Sequence, residues 1–106
     1  MAITWNNKKT DALAEAVLAL KDKAEAKKFL RDLLTESEII EFGNRWQAAQ
    51  MLDKKISYTT ISGKTGLSPR TIARISSWLK QGKGGYRLML NRLHHHNSSP
   101  VGKGLR

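Results

Sequence analysis

Apolar residues recur at helical spacing through the first half of the chain. Leu13, Ala16, Val17 and Leu20 share one face, which predicts a first helix from about Asn7 to Lys21. Phe29, Leu30, Leu33 and Leu34 form a shorter stripe that predicts a second helix from Lys23 onward. Thr35-Glu36-Ser37-Glu38 then has the form of a capping box. The Thr35 hydroxyl can accept from the amide three residues on, and the Glu38 carboxylate can reach back to Thr35. A third helix is predicted from there to about Leu52. Its apolar residues lie on more than one side, with Ile39, Phe42 and Trp46 in one stripe and Ile40, Ala48, Met51 and Leu52 off it. A surface helix of a monomer needs a single apolar face. Two faces call for cover from two directions, either from a second subunit or from the first two helices.

The segment from Ser57 to Lys80 carries turn chemistry at fixed offsets. Ser57 can cap a short helix with Ile61 inward, followed by Thr65 or the stem of Lys64. Ser62 is small where a second helix must approach. Gly66 can end the helix in a left-handed conformation, and Leu67 plugs the turn. Ser68 is an N-cap with Pro69 at the first helical position, where its missing N–H is harmless. Ile72, Ile75 and Leu79 then face inward. The pattern is helix, three-residue turn, helix over 57–80.

Such a turn projects the start of its second helix outward, which in a helix-turn-helix enters the major groove of DNA. The outward residues here are Ser68, Pro69, Arg70, Thr71, Ala73 and Arg74. Arg70 can fork onto guanine O6 and N7, and Thr71 can donate to a base or touch a thymine methyl. Tyr58, Thr59, Ser62 and Lys64 are placed for phosphate contacts. An ordinary helical hairpin with a polar outer face would lack this order of Ser, Gly, Ser and Pro.

Beyond Lys80, Gly82, Gly84 and Gly85 mark a hinge, with Lys83 among them. Tyr86 to Leu93 predicts one last short helix with Leu88, Met89 and Leu93 inward, closing a helical domain over 1–93. Residues 94–106 are expected to be a flexible basic tail, rich in Gly and Ser from Ser98. Its run His94-His95-His96 invites a metal reading. Three consecutive histidines on a helix cannot all point at one ion, and no acid or cysteine lies nearby to complete a set, so no metal is expected.

Composition sharpens this outline. The chain has 106 residues and a formal charge of +10. Residues 1–50 hold eight Lys/Arg and eight Asp/Glu. Residues 51–106 hold eleven Lys/Arg against the single acid Asp53, so the whole charge falls in that half. A charge confined in this way has the form of a footprint for a polyanion rather than of a uniformly solvated surface. There is no cysteine, which excludes disulfides, thiolate metal sites and cysteine nucleophiles. No apolar run approaches the roughly 18 residues a membrane span needs, and Met1 to Lys9 is too polar for a signal peptide, so no membrane partner and a cytoplasmic location are expected. No nucleophile elbow, phosphate loop or paired carboxylates are present, and Gly82-Lys83-Gly84-Gly85 lacks the glycine spacing and preceding strand of a phosphate cradle. An enzyme is not expected.

The stretch from Leu33-Leu34-Thr35 through Gly43-Asn44-Arg45 to Leu79 resembles the bacterial Trp repressor family, with Leu-Leu-Thr-Glu-x-Glu as its distinguishing part. The resemblance covers about half the chain. It implies an all-α, Trp-repressor-like domain that forms an intertwined homodimer, reads successive major grooves of a palindromic operator and represses transcription. Members that sense tryptophan hold the indole between two arginines, and those positions are filled here by Arg45 and Arg74. Thr35 matches the residue near the ligand's amino group. Ile75 stands where those members carry glycine, and Trp78 where they carry serine. Both changes fill the space of a corepressor, so no cofactor is expected and L-tryptophan is disfavoured. Two arrangements are then open: Trp78 packs where the ligand would sit with Arg74 stacked on its indole, or Trp78 is a core residue and Arg74 a phosphate contact. The expected function is a sequence-specific, dimeric regulator of transcription on double-stranded DNA. A weakly specific architectural DNA binder, and an interaction module that has lost DNA, are the alternatives.

Overall fold

The computed structural model describes residues 4–97, and every regular element among them is helical. The order is α1 (Lys8–Ala19), α2 (Lys23–Leu33), α3 (Glu36–Asp53), α4 (Tyr58–Thr65), α5 (Pro69–Gln81) and α6 (Gly85–Asn97). The chain separates into two compact units, Met1–Ile39 and Ile40–Arg106.

In the first unit, reciprocal side-chain bonds start each helix. Asn7 Oδ1 accepts from the amides of Lys9 and Thr10 at 2.9 and 3.1 Å, and Thr10 Oγ1 accepts from the Asn7 amide at 2.8 Å. Asp22 Oδ1 accepts from Glu25 N, and Glu25 Oε1 from Lys21 N, both at 2.9 Å. The expected box at α3 forms, with Glu38 N donating to Thr35 Oγ1 at 3.1 Å and Thr35 N to Glu38 Oε1 at 2.9 Å. These bonds satisfy amides that a helix leaves orphaned at its start. What this unit lacks is a core. No residue of α1 or α2 is buried, and Val17, Leu18 and Leu33 are 52%, 84% and 47% exposed.

The second unit has a core. Ala48, Ala49 and Met51 of α3 meet Ile61 of α4, Leu67 of the turn, and Ile72 and Ile75 of α5. The two alanines keep side chains short where helices come close, and the three isoleucines are fully buried. Each isoleucine stabilises the unit by about 1.5–3 kcal/mol relative to leaving it in water. At the end of α3, Lys55 takes a left-handed φ of 64°. Its amide donates to Leu52 O, and that of Ile56 to Met51 O, the paired bonds of a Schellman ending. Ile56 is thereby turned back onto the core.

α6 departs from the sequence reading in length and register. It begins at Gly85 and runs through Asn97, so His94 to Asn97 are helical rather than tail; residues 98–106 lie outside the described residues. Its inward positions are Tyr86 and Leu90, four residues apart, whereas the expected Leu88, Met89 and Leu93 are exposed. Two contacts fix this register. The Tyr86 ring stacks on Trp46 of α3, with centroids 6.3 Å apart and planes 11° from parallel. Arg87 donates to Asp53 at the end of α3 at 2.7 Å.

Candidate nucleic-acid interface

The turn between α4 and α5 follows from a short run of side chains. Gly66 ends α4 at φ 75°, ψ 1°, its amide donating to Ser62 O. This single bond closes the helix, and the left-handed conformation turns the chain sharply. Leu67 drops into the core, and Ser68 restarts the chain as the N-cap of α5 with Pro69 in the first turn. The two helix starts share one device. Ser57 Oγ accepts from Thr60 N at 3.2 Å and donates to Thr60 Oγ1 at 3.0 Å. Ser68 Oγ accepts from Thr71 N at 3.2 Å and donates to Thr71 Oγ1 at 3.1 Å.

Ile72 and Ile75 anchor α5, so its first two turns present their other face to solvent. Ser68, Pro69, Arg70, Ala73 and Arg74 are exposed there, and Thr71 is half-buried. At α4, Tyr58, Thr59 and Lys64 are exposed, and Thr65 rather than Lys64 fills the inward position left open by the sequence. Ser62 is placed differently from expectation. It is half-buried and its hydroxyl donates to Leu67 O at 2.8 Å, which takes its proton away from an outside phosphate. Among the described residues, Lys64, Arg70, Arg74 and Lys80 take no part in the ion pairs that form, and Asp53, the single acid of residues 51–106, is paired with Arg87. The exposed end of α5 is thus polar, cationic and held by a buried apolar base.

Residues 8–94 match the family model described as Trp repressor protein. The chain belongs to the Trp repressor family. A relative in Bacillus subtilis, the uncharacterized protein YerC, is 36% identical over 86 residues, 81% of this chain and 83% of its own. The crystal structure of a TrpR-like protein from Eubacterium eligens superposes with a TM-score of 0.79 at 36% identity, covering 83% of this chain and 91% of that one. A crystal structure from Staphylococcus aureus does so at 0.78 and 32%, covering 84% and 89%. These likenesses establish the all-helical, TrpR-like fold.

The Trp repressor resemblance implies Thr35, Arg45, Arg74, Ile75 and Trp78 as effector positions. Ile75 is fully buried in the core beneath α5. Arg45 donates to Glu41 at 3.2 Å and lies 5.8 Å from the centroid of the Phe42 ring. Thr35 caps α3. The expected stacking of Arg74 on Trp78 is not the cation–π contact that forms among the described residues; that one is Arg45 on Phe42. Both partners of that contact belong to α3, three residues apart and therefore on one face. Trp78 is 41% exposed and lines an open, largely apolar groove of about 530 Å³ with Trp46, Lys83, Gly85, Tyr86 and Met89. Burial pushes the Tyr86 phenol above its ordinary value of 10.0, and the Arg45 charge works against that shift.

Sequence reasoning missed the bonds made by the Thr65 hydroxyl and the stacking of Trp46 on Tyr86. Only Thr65 left a signal, as a β-branched polar residue four positions after Ile61, where its hydroxyl can reach a helical carbonyl. No group of three or more metal-ligating side chains occurs among the described residues, and no helix among them is long and apolar enough to cross a membrane.

Proposed function

We propose that the chain is a sequence-specific, DNA-binding transcriptional regulator that reads the major groove with the first two turns of α5. The observation that carries this reading is the exposed, uncompensated Arg70 and Arg74 on a helix fixed from below by Ile72 and Ile75. Membership in a family of regulators supports it. In this reading Arg70 makes the forked base contact, with Thr71 and Ala73 beside it. Arg74, Lys64, Tyr58 and Thr59 hold the phosphates, and the Ser57 and Ser68 helix starts aim at the backbone.

The working form is a homodimer. Helices of 11 and 12 residues are marginal alone in water, and α1 and α2 carry Val17, Leu18, Leu30 and Leu33 without burying any residue. A second copy supplies the missing cover. Two heads then occupy half-sites about 10 bp apart and repress by blocking promoter access. No tryptophan is required. Ile75 occupies core volume, and Arg45 is engaged by Glu41 and Phe42.

Selection of bound sequences from a random duplex pool, with and without L-tryptophan, tests this reading. A symmetric motif that does not depend on the amino acid supports it. A motif that appears only with tryptophan removes the ligand-free part, and no enrichment at low salt removes DNA reading. On the selected duplex, Arg70→Ala should relax preference at one position by about 1–3 kcal/mol. Lys64→Ala should weaken all sequences alike and flatten the salt slope by about one unit.

A further inference from the structure

We propose that Ser62 and Thr65 are positioning residues that aim the α5 reading head through the backbone of Leu67, without touching DNA. The inference rests on the DNA-reading assignment above and adds how its angle is set. Leu67 stands between the left-handed Gly66 and the cap Ser68, where neither helix can satisfy its peptide groups. Side chains of α4 hold both of them. The Leu67 amide donates to Thr65 Oγ1 at 3.2 Å, and its carbonyl accepts from Ser62 Oγ at 2.8 Å.

Thr65 passes the tie onward, its own hydroxyl donating to Ile61 O at 2.7 Å. Ile61 is fully buried, and Thr65 and Leu67 are 7% and 6% exposed, so water has little access to replace the two Thr65 bonds. The two peptide groups that flank Leu67 are therefore each held against the last turn of α4. Ser68 follows immediately, so they set the direction in which α5 departs and where Arg70 and Arg74 point. A hinge of a few degrees at this place moves an arginine tip off a base edge while leaving it near the phosphates.

The prediction is a loss of discrimination rather than of general affinity. It is read on the full chain with the best-bound duplex from a random pool and an unrelated duplex at the same salt, together with hydrogen exchange at the Leu67 amide without DNA. Thr65→Val keeps the shape and removes the hydroxyl. It should speed Leu67 exchange and lower the ratio of the two affinities about tenfold, the scale of one misaligned base contact. Affinity for the unrelated duplex and the salt slope should stay as they are. Thr65→Ser restores the hydroxyl and should return both readouts. Ser62→Ala, at a half-buried site with milder structural consequences, should lower the ratio in the same way.

A wild-type ratio in both Thr65→Val and Ser62→Ala overturns the proposal while DNA reading stands. Equal weakening on both duplexes in Ser62→Ala also overturns it, since that is the behaviour of a phosphate contact. A parent protein that binds neither duplex at low salt removes the DNA-reading assignment itself, and this proposal with it.

Discussion

Gly66→Ala probes the bend that starts the reading head, and its effect follows from two local facts. The residue has φ 75°, and a Cβ built there meets nothing within 4 Å. No clash contributes, so the penalty is that of a left-handed backbone alone, about 1–2 kcal/mol. Alanine recovers about 0.5–1 kcal/mol because the unfolded chain has fewer conformations to lose. The net loss is about 0.5–1 kcal/mol. Lys55 provides the inverse experiment, because it holds φ 64° with a side chain in place. Lys55→Gly should stabilise the protein by a similar amount, by the same reasoning with the sign reversed. Gly82→Ala provides a contrast, since its Cβ would stand 2.5 Å from Trp78 O. That contact is with backbone, and its loss should exceed the other two effects. Urea unfolding at one fixed protein concentration reads all three, with an unchanged slope as the condition for comparison. A Gly66→Ala protein at least as stable as its parent, or a destabilised Lys55→Gly, would refute the argument that both bends are left-handed.

Three further outcomes are expected. Ile72→Ala opens a void under α5 and should cost about 2–5 kcal/mol, measured in the same unfolding experiment; a loss below about 1 kcal/mol would mean that α5 is not anchored there. Asp53→Asn removes the 2.7 Å pair with Arg87 between two partly exposed groups, and should cost about 0.2–1 kcal/mol, less at high salt. The Tyr86 phenol has a raised pKa in the fold, so its contribution is complete below the unfolded value of about 10 and is lost as pH rises through the folded value. Tyr86→Phe should therefore flatten the alkaline loss of stability, seen as a smaller drop in Tm above about pH 10 than in the parent.

How far the sequence reaches depends on how local the cause is. The capping box at Thr35, the left-handed Gly66 and the Ser68-Pro69 helix start were legible because each is set by residues within a turn of one another. The register of α6 was not. Leu88, Met89 and Leu93 form a plausible helical stripe, yet Tyr86 and Leu90 turn inward because the partners that decide it, Trp46 and Asp53, are over thirty residues away in the chain. The same limit applies to Ser62. Its type suits a phosphate contact, and only the folded turn shows its proton directed to Leu67 O. Arg45 is a different case: Glu41 and Phe42 lie within one turn of it, so their engagement of its guanidinium was open to the helical spacing, and the ligand role implied by the resemblance stood in its place.

The two faces of α3 also look different in the folded chain. Ala48, Ala49 and Met51 account for one face through the core of the second unit. Ile40 and Phe42 remain 65% and 47% exposed, and α1 and α2 of the first unit bury none of their own apolar residues, so each unit leaves apolar surface open in the single chain. That surface is the reason a second copy belongs in the proposed working form.

The central claim is that the start of α5 enters duplex DNA, and amide chemical-shift mapping during titration with the best-bound duplex tests it most directly. The account predicts that the largest shifts fall on Ser68 to Arg74 and on the first turn of α4, with smaller changes at the buried face of α5. Shifts confined to α1 and α2, or a spectrum unchanged at low salt, would contradict it.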